Sequence, residues 1–171
     1  MHLVISCSLN KDSKSKVMAE YAYNLYRNNA KFIDMQKIEF PICDGDECYE
    51  LPIVDELKGS IQNAHSILIA SPIYNYDLNA VAKNLIELTG IVWTDKIVGF
   101  ICAAGGQGSY MSPISFANSL MLDFRCLIIP RFVYADQTCF NDNRDINDIL
   151  KGRIEKLVDS TILLSSALVT S

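Results

Sequence analysis

Positive charge is scarce in this sequence of 171 residues: 15 Lys and Arg stand against 20 Asp and Glu, for a net charge of −5. That balance offers no general attraction to polyanions, and so argues against nucleic acid or an anionic membrane surface as a partner. Glycine and proline are also few, eight and five, while 50% of the residues are hydrophobic. Collagen-like, low-complexity and disordered readings fall away on those numbers. No apolar stretch reaches the ~20 residues of a membrane-spanning helix; the longest near the end, 157–169, is broken by Asp159 and several hydroxyl residues. Residues 1–7 carry no basic segment ahead of a short apolar run and read as a first strand, not a secretory signal.

The six cysteines give no metal-ligand pattern. Cys7, Cys102 and Cys126 sit in strand-like apolar runs and read as small buried hydrophobes. Cys43 and Cys48 are the ends of Cys-Asp-Gly-Asp-Glu-Cys, but no second Cys/His pair is spaced to complete a tetrahedral site. The expectation is a solvated loop with reduced thiols, no metal, and a cytoplasmic setting.

What is present is an alternation of short β-rich runs with longer helical patterns, the signature of βαβ units feeding a parallel sheet. Strands are expected at 3–7, 31–35, 66–71, 97–102 and 126–130. Helices are expected at 15–28, 54–63, 79–89, 112–122 and 146–167. Ile67-Leu68-Ile69-Ala70 and Ile97-Val98-Gly99-Phe100-Ile101 have no polar face, as when helices cover both sides of a sheet. The pattern predicts one α/β domain over 1–171, a flavodoxin-like, doubly wound, five-stranded parallel sheet of order 2-1-3-4-5 with helices on both faces. In such folds the ligand crevice lies beyond the carboxyl ends of the strands at the topological switch point. The loops after strands one, three and four are thereby nominated before any motif is considered.

After strand one comes Ser8-Leu9-Asn10-Lys11-Asp12-Ser13-Lys14-Ser15, leading into a helix. Hydroxyls at Ser8, Ser13 and Ser15, the free N–H groups of the helix start and the charge of Lys14 and Lys16 together suit an anion. The same serines also serve as ordinary N-caps, and the loop alone does not choose between the two roles. No Gly-x-Gly-x-x-Gly and no Gly-x-x-x-x-Gly-Lys-Ser/Thr occurs, so neither a dinucleotide fingerprint nor a P-loop is supported. Hydroxyls in place of glycines suit a terminal phosphate monoester such as that of FMN. After strand three, Pro72-Ile73-Tyr74-Asn75-Tyr76 offers flat aromatic surface and backbone donors, although tyrosines at a helix entry can be purely structural. After strand four, Ala104-Gly105-Gly106-Gln107-Gly108 allows a planar ligand close to the backbone, and positive φ where needed.

At these residues the chain resembles the NADPH-dependent FMN reductase family of flavodoxin-like proteins, over essentially its full length. Ser8 to Ser15 is similar to that family's Ser-Leu-Arg-x-x-Ser-x-Ser/Asn loop. Pro72-Ile73-Tyr74-Asn75, with the later Lys83-Asn84, is similar to its Pro-x-Tyr-Asn loop and Leu-Lys-Asn helix, and Ala103-Ala104-Gly105-Gly106 to its Ser-Ala-Gly-Gly turn. The resemblance implies that Ser8, Asn10, Ser13 and Ser15, with Lys14 beside them, hold the FMN phosphate. It places Pro72, Ile73, Tyr74, Asn75 and Tyr76 at the isoalloxazine, and Ala104, Gly105, Gly106 and Gln107 at its pyrimidine edge. Asn10 stands where Arg is common, which removes a charge-assisted contact worth ~1.5–3 kcal/mol. Asp77-Leu78-Asn79-Ala80 replaces the usual Ser-x-Pro-Gly, and Ala103 replaces a hydroxyl.

The activity implied is oxidoreduction, with hydride passing from NADPH or NADH through bound FMN to a small-molecule electron acceptor such as free flavin or a quinone. The flavin carries the chemistry, so no catalytic side chain is named. The alternative is an electron carrier or flavin-binding module without NAD(P)H turnover. Family resemblance also implies a homodimer or homotetramer, for which Trp93, Phe116, Met121 and Phe132 offer apolar contact surface if they are not part of the core, the pattern being equally consistent with both. His2 and His65 are expected to be structural, at the end of the sheet opposite the site.

Overall fold

Strand β1 (His2–Ser6) is buried along its whole length, and its alternate side chains enter two different cores. That single fact organises the protein, seen in a computed structural model that describes residues 1–169. Thr170 and Ser171, the last residues of the expected domain, lie outside the described residues. Leu3 and Ile5 face one core with Ile67, Ile69 and Phe100, while Val4 faces the other with Leu68, Ala70 and Ile101. Each such Leu or Ile contributes roughly 1.5–3 kcal/mol on burial.

Helix α1 (Lys14–Leu25) follows β1, and β2 (Ala30–Asp34) forms one edge of the sheet. Helix α2 (Pro52–Gln62) leads to the long β3 (Ser66–Tyr74). Then come β4 (Asp77–Leu78), α3 (Ala80–Thr89), β5 (Ile97–Ala103), α4 (Pro113–Phe124), β6 (Leu127–Ile128), β7 (Val133–Ala135) and α5 (Asp148–Val169). The main path is β2-β1-β3-β5-β6, parallel throughout, which is the expected flavodoxin-like order. Met18, Ala19 and Ala22 of α1 and Leu150, Ile154 and Leu157 of α5 cover one face; Leu57 and Ile61 of α2, Leu85 of α3 and Phe116 and Leu120 of α4 cover the other. At Gly99 in β5 a Cβ would stand 2.8 Å from Leu68 Cδ2 and 3.0 Å from Leu157 Cδ1, so glycine there lets α5 lie close to the sheet.

Among the described residues seven strands are present where five were expected, for two reasons. The long β3 runs past the expected end at Ser71 and turns back antiparallel as β4, pairing Ile73 with Leu78 and Tyr74 with Asp77. The fifth strand is broken. Pairing with β5 passes from Val98↔Ile128 to Ile101↔Val133, so the outer strand carries two extra residues over the same span, around Pro130. Proline has no N–H for the ladder, and a bulge accommodates it at a sheet edge.

Loop 40–51 packs against α3 through Asn84, whose amide donates to the Pro41 carbonyl (2.8 Å) and whose Oδ1 accepts from the Cys43 N–H (2.8 Å). Cys43 Sγ lies 3.3 Å from the Tyr49 hydroxyl, and Cys48 is buried beneath. At the amino end of the sheet His2 contacts Ser66 Oγ through Nδ1 (2.7 Å) and stacks on Tyr26 at 4.5 Å.

Burial lowers the pKa of His2 from 6.5 to about 4. Between those values the unfolded chain binds a proton that the folded protein does not, so this residue's stabilising balance is complete above 6.5 and is lost as the pH falls toward 4. In urea titrations at pH 7 and pH 5, the wild-type protein should lose about 1–2 kcal/mol more than a His2→Phe variant does. Equal losses would show that His2 is not protonated on unfolding.

Candidate functional site

The carboxyl ends of the strands are tied into one rim by the main chain: Cys7 N–H to Ala70 O joins β1 to β3 (2.8 Å), the pairing of Pro72 with Ala103 joins β3 to β5, and Ala104 N–H to Ala135 O joins β5 to β7 (2.9 Å). Asn79 secures it from below. This residue caps α3 through its Oδ1, which also accepts from Ser71 Oγ (3.1 Å), while its Nδ2 donates to the Cys7 carbonyl (2.7 Å). The loops that leave this rim enclose an open cavity of about 260 Å3. Ser8, Asn10, Ser13, Lys14, Pro72, Ile73, Tyr74, Ala104 and Gly105 all line it, as do Asp12, Ala103 and Gln137.

At one end of the cavity stands the amino terminus of α1. Ser13 Oγ accepts from the Lys16 N–H (3.1 Å) and lies 3.0 Å from Ser15 Oγ, so these serines form a buried hydroxyl pair and an N-cap at once. The amides of Lys14 and Ser15 open the helix and have no intrahelical acceptor. Ser8 Oγ accepts from the Asn10 N–H (3.3 Å), and Asn10 Oδ1 accepts from the Asp12 N–H (3.0 Å), which shapes the loop. Asn10 also receives the Gln36 amide on its carbonyl. Charge is distributed differently from the sequence expectation. Lys16 pairs with Asp34 at 2.7 Å, away from the cavity, and Lys14 Nζ sits 5.2 Å from the Phe140 ring centre. Asp12 is paired with Arg144, whose guanidinium holds its carboxyl below the ordinary range.

The second loop is a tight hairpin. Asn75 and Tyr76 both have positive φ (51° and 66°), the conformation that suits the twist between β3 and β4. A left-handed tyrosine is strained, typically by about 1–3 kcal/mol. Its hydroxyl compensates by donating to the Gly108 carbonyl (2.8 Å), which fastens the second loop to the third. Tyr76 therefore bridges two loops beside the cavity, and neither it nor Asn75 lines it. In the third loop no glycine has positive φ; Gly106 is extended. A Cβ at Gly105 or Gly106 would meet nothing within 4 Å, so packing within the protein does not demand glycine there and the open space lies on the ligand side. Gln107 points to a neighbouring trough with Tyr110, Tyr134, Asp136, Cys139 and Arg153.

Sequence reasoning missed the contribution of the fifth strand. Tyr134 donates its hydroxyl to the Gly106 carbonyl and stands 2.9 Å from Ser109 Oγ, pinning the third loop at a second point besides the Tyr76 bond to Gly108. Asp136, held below the usual carboxylate range by Thr138 and Gln107, caps the turn that carries Gln137 into the cavity. The strand-end rule had nominated the loops after strands one, three and four, and no motif marked the fifth. Trp93, Phe116 and Phe132, expected as possible contact surface, are core, and only Met121 of that set is exposed.

Hydroxyls and free amides at a helix start, an apolar Pro-Ile-Tyr wall and an uncrowded Ala-Gly strip suit a flavin mononucleotide. Residues 2–139 match the NADPH-dependent FMN reductase family. The chain belongs to that family. Family members use FMN and NAD(P)H in oxidoreduction. The chain is 32% identical over 85 residues to an NAD(P)H:quinone oxidoreductase of Solanum tuberosum, covering 47% of this chain and 44% of that protein. It is 22% identical over 136 residues to an NADPH azoreductase of Bacillus sp. (78% and 75% covered). The aligned region thus spans less than half of the potato relative. Among solved structures it superposes on the flavoenzyme NAD(P)H:(acceptor) oxidoreductase FerB of Paracoccus denitrificans with a TM-score of 0.78 and 19% identity, covering 96% of both chains. An archaeal flavodoxin gives a TM-score of 0.65 at 15% identity (97% and 99% covered). These superpositions establish the flavodoxin-like fold.

Replacing Ser13 and Ser15 together by Ala should weaken FMN binding by ~1–3 kcal/mol in fluorescence titration and cost about 1 kcal/mol of stability through the lost cap. Unchanged affinity with the stability loss intact would reduce the two serines to helix capping.

Proposed function

We propose that this protein is an FMN-dependent NAD(P)H oxidoreductase that reduces a small acceptor, a quinone in first place. The observation that carries the proposal is the convergence of three sequence-distant loops on one open cavity with unpaired helix amides at its end. Ser8, Ser13 and Ser15 with the amides of Lys14 and Ser15 would hold the phosphate, and Asn10 would shape the loop around it. Pro72, Ile73 and Tyr74 would flank one side of the isoalloxazine, and Ala104 and Gly105 the other. Asn75, Tyr76, Gly106 and Gln107 support these walls at one remove. FMN, when bound, carries two electrons and a proton between NAD(P)H and the acceptor. The protein's own part is to position the ring and leave one face open, and no side chain is required as acid or base. Quinone as acceptor is supported by the names of the plant relatives, and free flavin by the family description.

The whole chain acts as one FMN-binding domain in this reading, in the cytoplasm, where its six free cysteines remain thiols. No helix among the described residues is long and apolar enough to cross a membrane. A homodimer, or a tetramer built from dimers, is supported by exposed apolar residues at α4: Met111 just ahead of the helix, Ile114, Met121 and Leu122 on it, and Ile91 in a turn that contacts it. Light scattering should give a dimer or tetramer for the wild type and a monomer for Leu122→Asp; a monomeric wild type would remove the oligomer from the proposal.

The purified protein should show flavin absorption that bleaches when NADPH is added without oxygen and returns on addition of a quinone. A protein that retains no FMN on dialysis would overturn the flavin assignment. A yellow protein that neither NADPH nor NADH reduces would be an electron carrier.

A further inference from the structure

Beyond the flavin cradle the surface changes character. Arg131, Arg153 and Lys156 line a cleft of about 190 Å3 together with Ser160. Among the described residues none of these cations forms an ion pair, in a chain whose net charge is −5. Two carboxylates close by in sequence are engaged elsewhere: Glu155 accepts from the Tyr21 hydroxyl (2.7 Å), and Asp136 from Thr138 N–H (2.9 Å) and Oγ1 (2.6 Å); Asp159, three residues beyond Lys156 on α5, is exposed and forms no ion pair with it.

The three cations are placed by structure. Arg131 stands in the two-residue bulge between β6 and β7, a device that re-aims a side chain. Arg153 and Lys156 are three apart on α5, on one face of the helix, with Ser160 a turn further. Arg153 Nη1 donates to the Tyr134 carbonyl (3.0 Å), which fixes the guanidinium and leaves its other N–H groups for a ligand.

Arg153 is also shared with the trough of about 240 Å3 whose walls include Tyr110 and Tyr134, rings set edge to face at 5.5 Å. Gln107 and Asp136 bring that trough up against the cradle, since Gly105 and Gln137 line the cavity itself. A path therefore runs from the flavin position, past aromatic walls, to an uncompensated cluster of cations. That sequence of surfaces matches a dinucleotide bearing a terminal phosphate monoester.

We infer that Arg131, Arg153 and Lys156 bind the 2′-phosphate of NADPH, with the adenosine end lying along the Tyr110–Tyr134 trough. The inference rests on the proposed function for NADPH as hydride donor. Arginine forks match phosphate oxygens in pairs, and NADH, with a hydroxyl at that position, offers them nothing comparable. The cleft is thus a selector for the phosphorylated dinucleotide.

The test reads binding without turnover, on the full-length protein as purified. Adenosine 2′,5′-bisphosphate, 5′-AMP and inorganic phosphate are titrated by calorimetry. The bisphosphate should bind at least tenfold more tightly than 5′-AMP. Arg131→Ala with Lys156→Ala, both at exposed positions, should narrow that gap to less than threefold, whereas Arg131→Lys with Lys156→Arg should keep it. Equal affinities in the wild type, or a gap that survives the alanine pair, would overturn the inference. So would inorganic phosphate competing at the concentrations of the bisphosphate, which would mark a bare anion site. The colour of the same preparation reports separately on the flavin: a colourless protein with the gap intact would refute the flavin reading and leave the phosphate site standing.

Discussion

A parallel sheet covered by helices on both faces has no polar face on which to build a site. That constraint governs this protein. β1, the first part of β3 and β5 are buried residue by residue, and their alternate side chains are committed to two cores. Polar groups can act only where the ladder ends, and there the main chain itself supplies donors, at helix starts and in turns. The cavity lies at that rim because the interior excludes it.

A rim made of loops needs fixing, and the protein fixes it with side chains reaching between loops. Asn79 joins the ends of β1 and β3 to the start of α3. Tyr76 and Tyr134 grip the third loop at two carbonyls, those of Gly108 and Gly106. The left-handed backbone at Asn75 and Tyr76 is tolerated because β3 and β4 enforce the hairpin and the Tyr76 hydroxyl gains a partner. Rigid walls around an open mouth are what a cofactor-binding oxidoreductase requires, since the ring must be held while donor and acceptor come and go.

Charge follows the same economy. Near the first loop Lys16 is neutralised by Asp34 and Arg144 by Asp12, so attraction for an anion there falls to hydroxyls, amides and Lys14, which lines the cavity. A second group of cations outside the ion pairs of the described residues stands at the opposite sheet edge, where a strand break and a helix face converge. An acidic protein can in this way attract a phosphate locally without attracting polyanions in general.

The order of strands and helices was legible in the amino-acid sequence because it follows from periodicity: apolar runs such as 67–70 have room only between two helical layers. The rim loops were legible too, because strand polarity nominates them whatever residues they hold. Local order could not reveal that Ser13 and Ser15 face each other, that Lys16 turns to Asp34, or that Tyr76 braces the site without lining it. Nor could it place Tyr134 and Gln137 at the rim, or Arg131 beside Arg153 and Lys156. Those relations join residues far apart along the chain, through a bulge and a hairpin whose geometry arises only when neighbouring strands pair. Periodicity along the backbone determined the scaffold by itself; the pairing of distant segments decided which side chains meet a ligand.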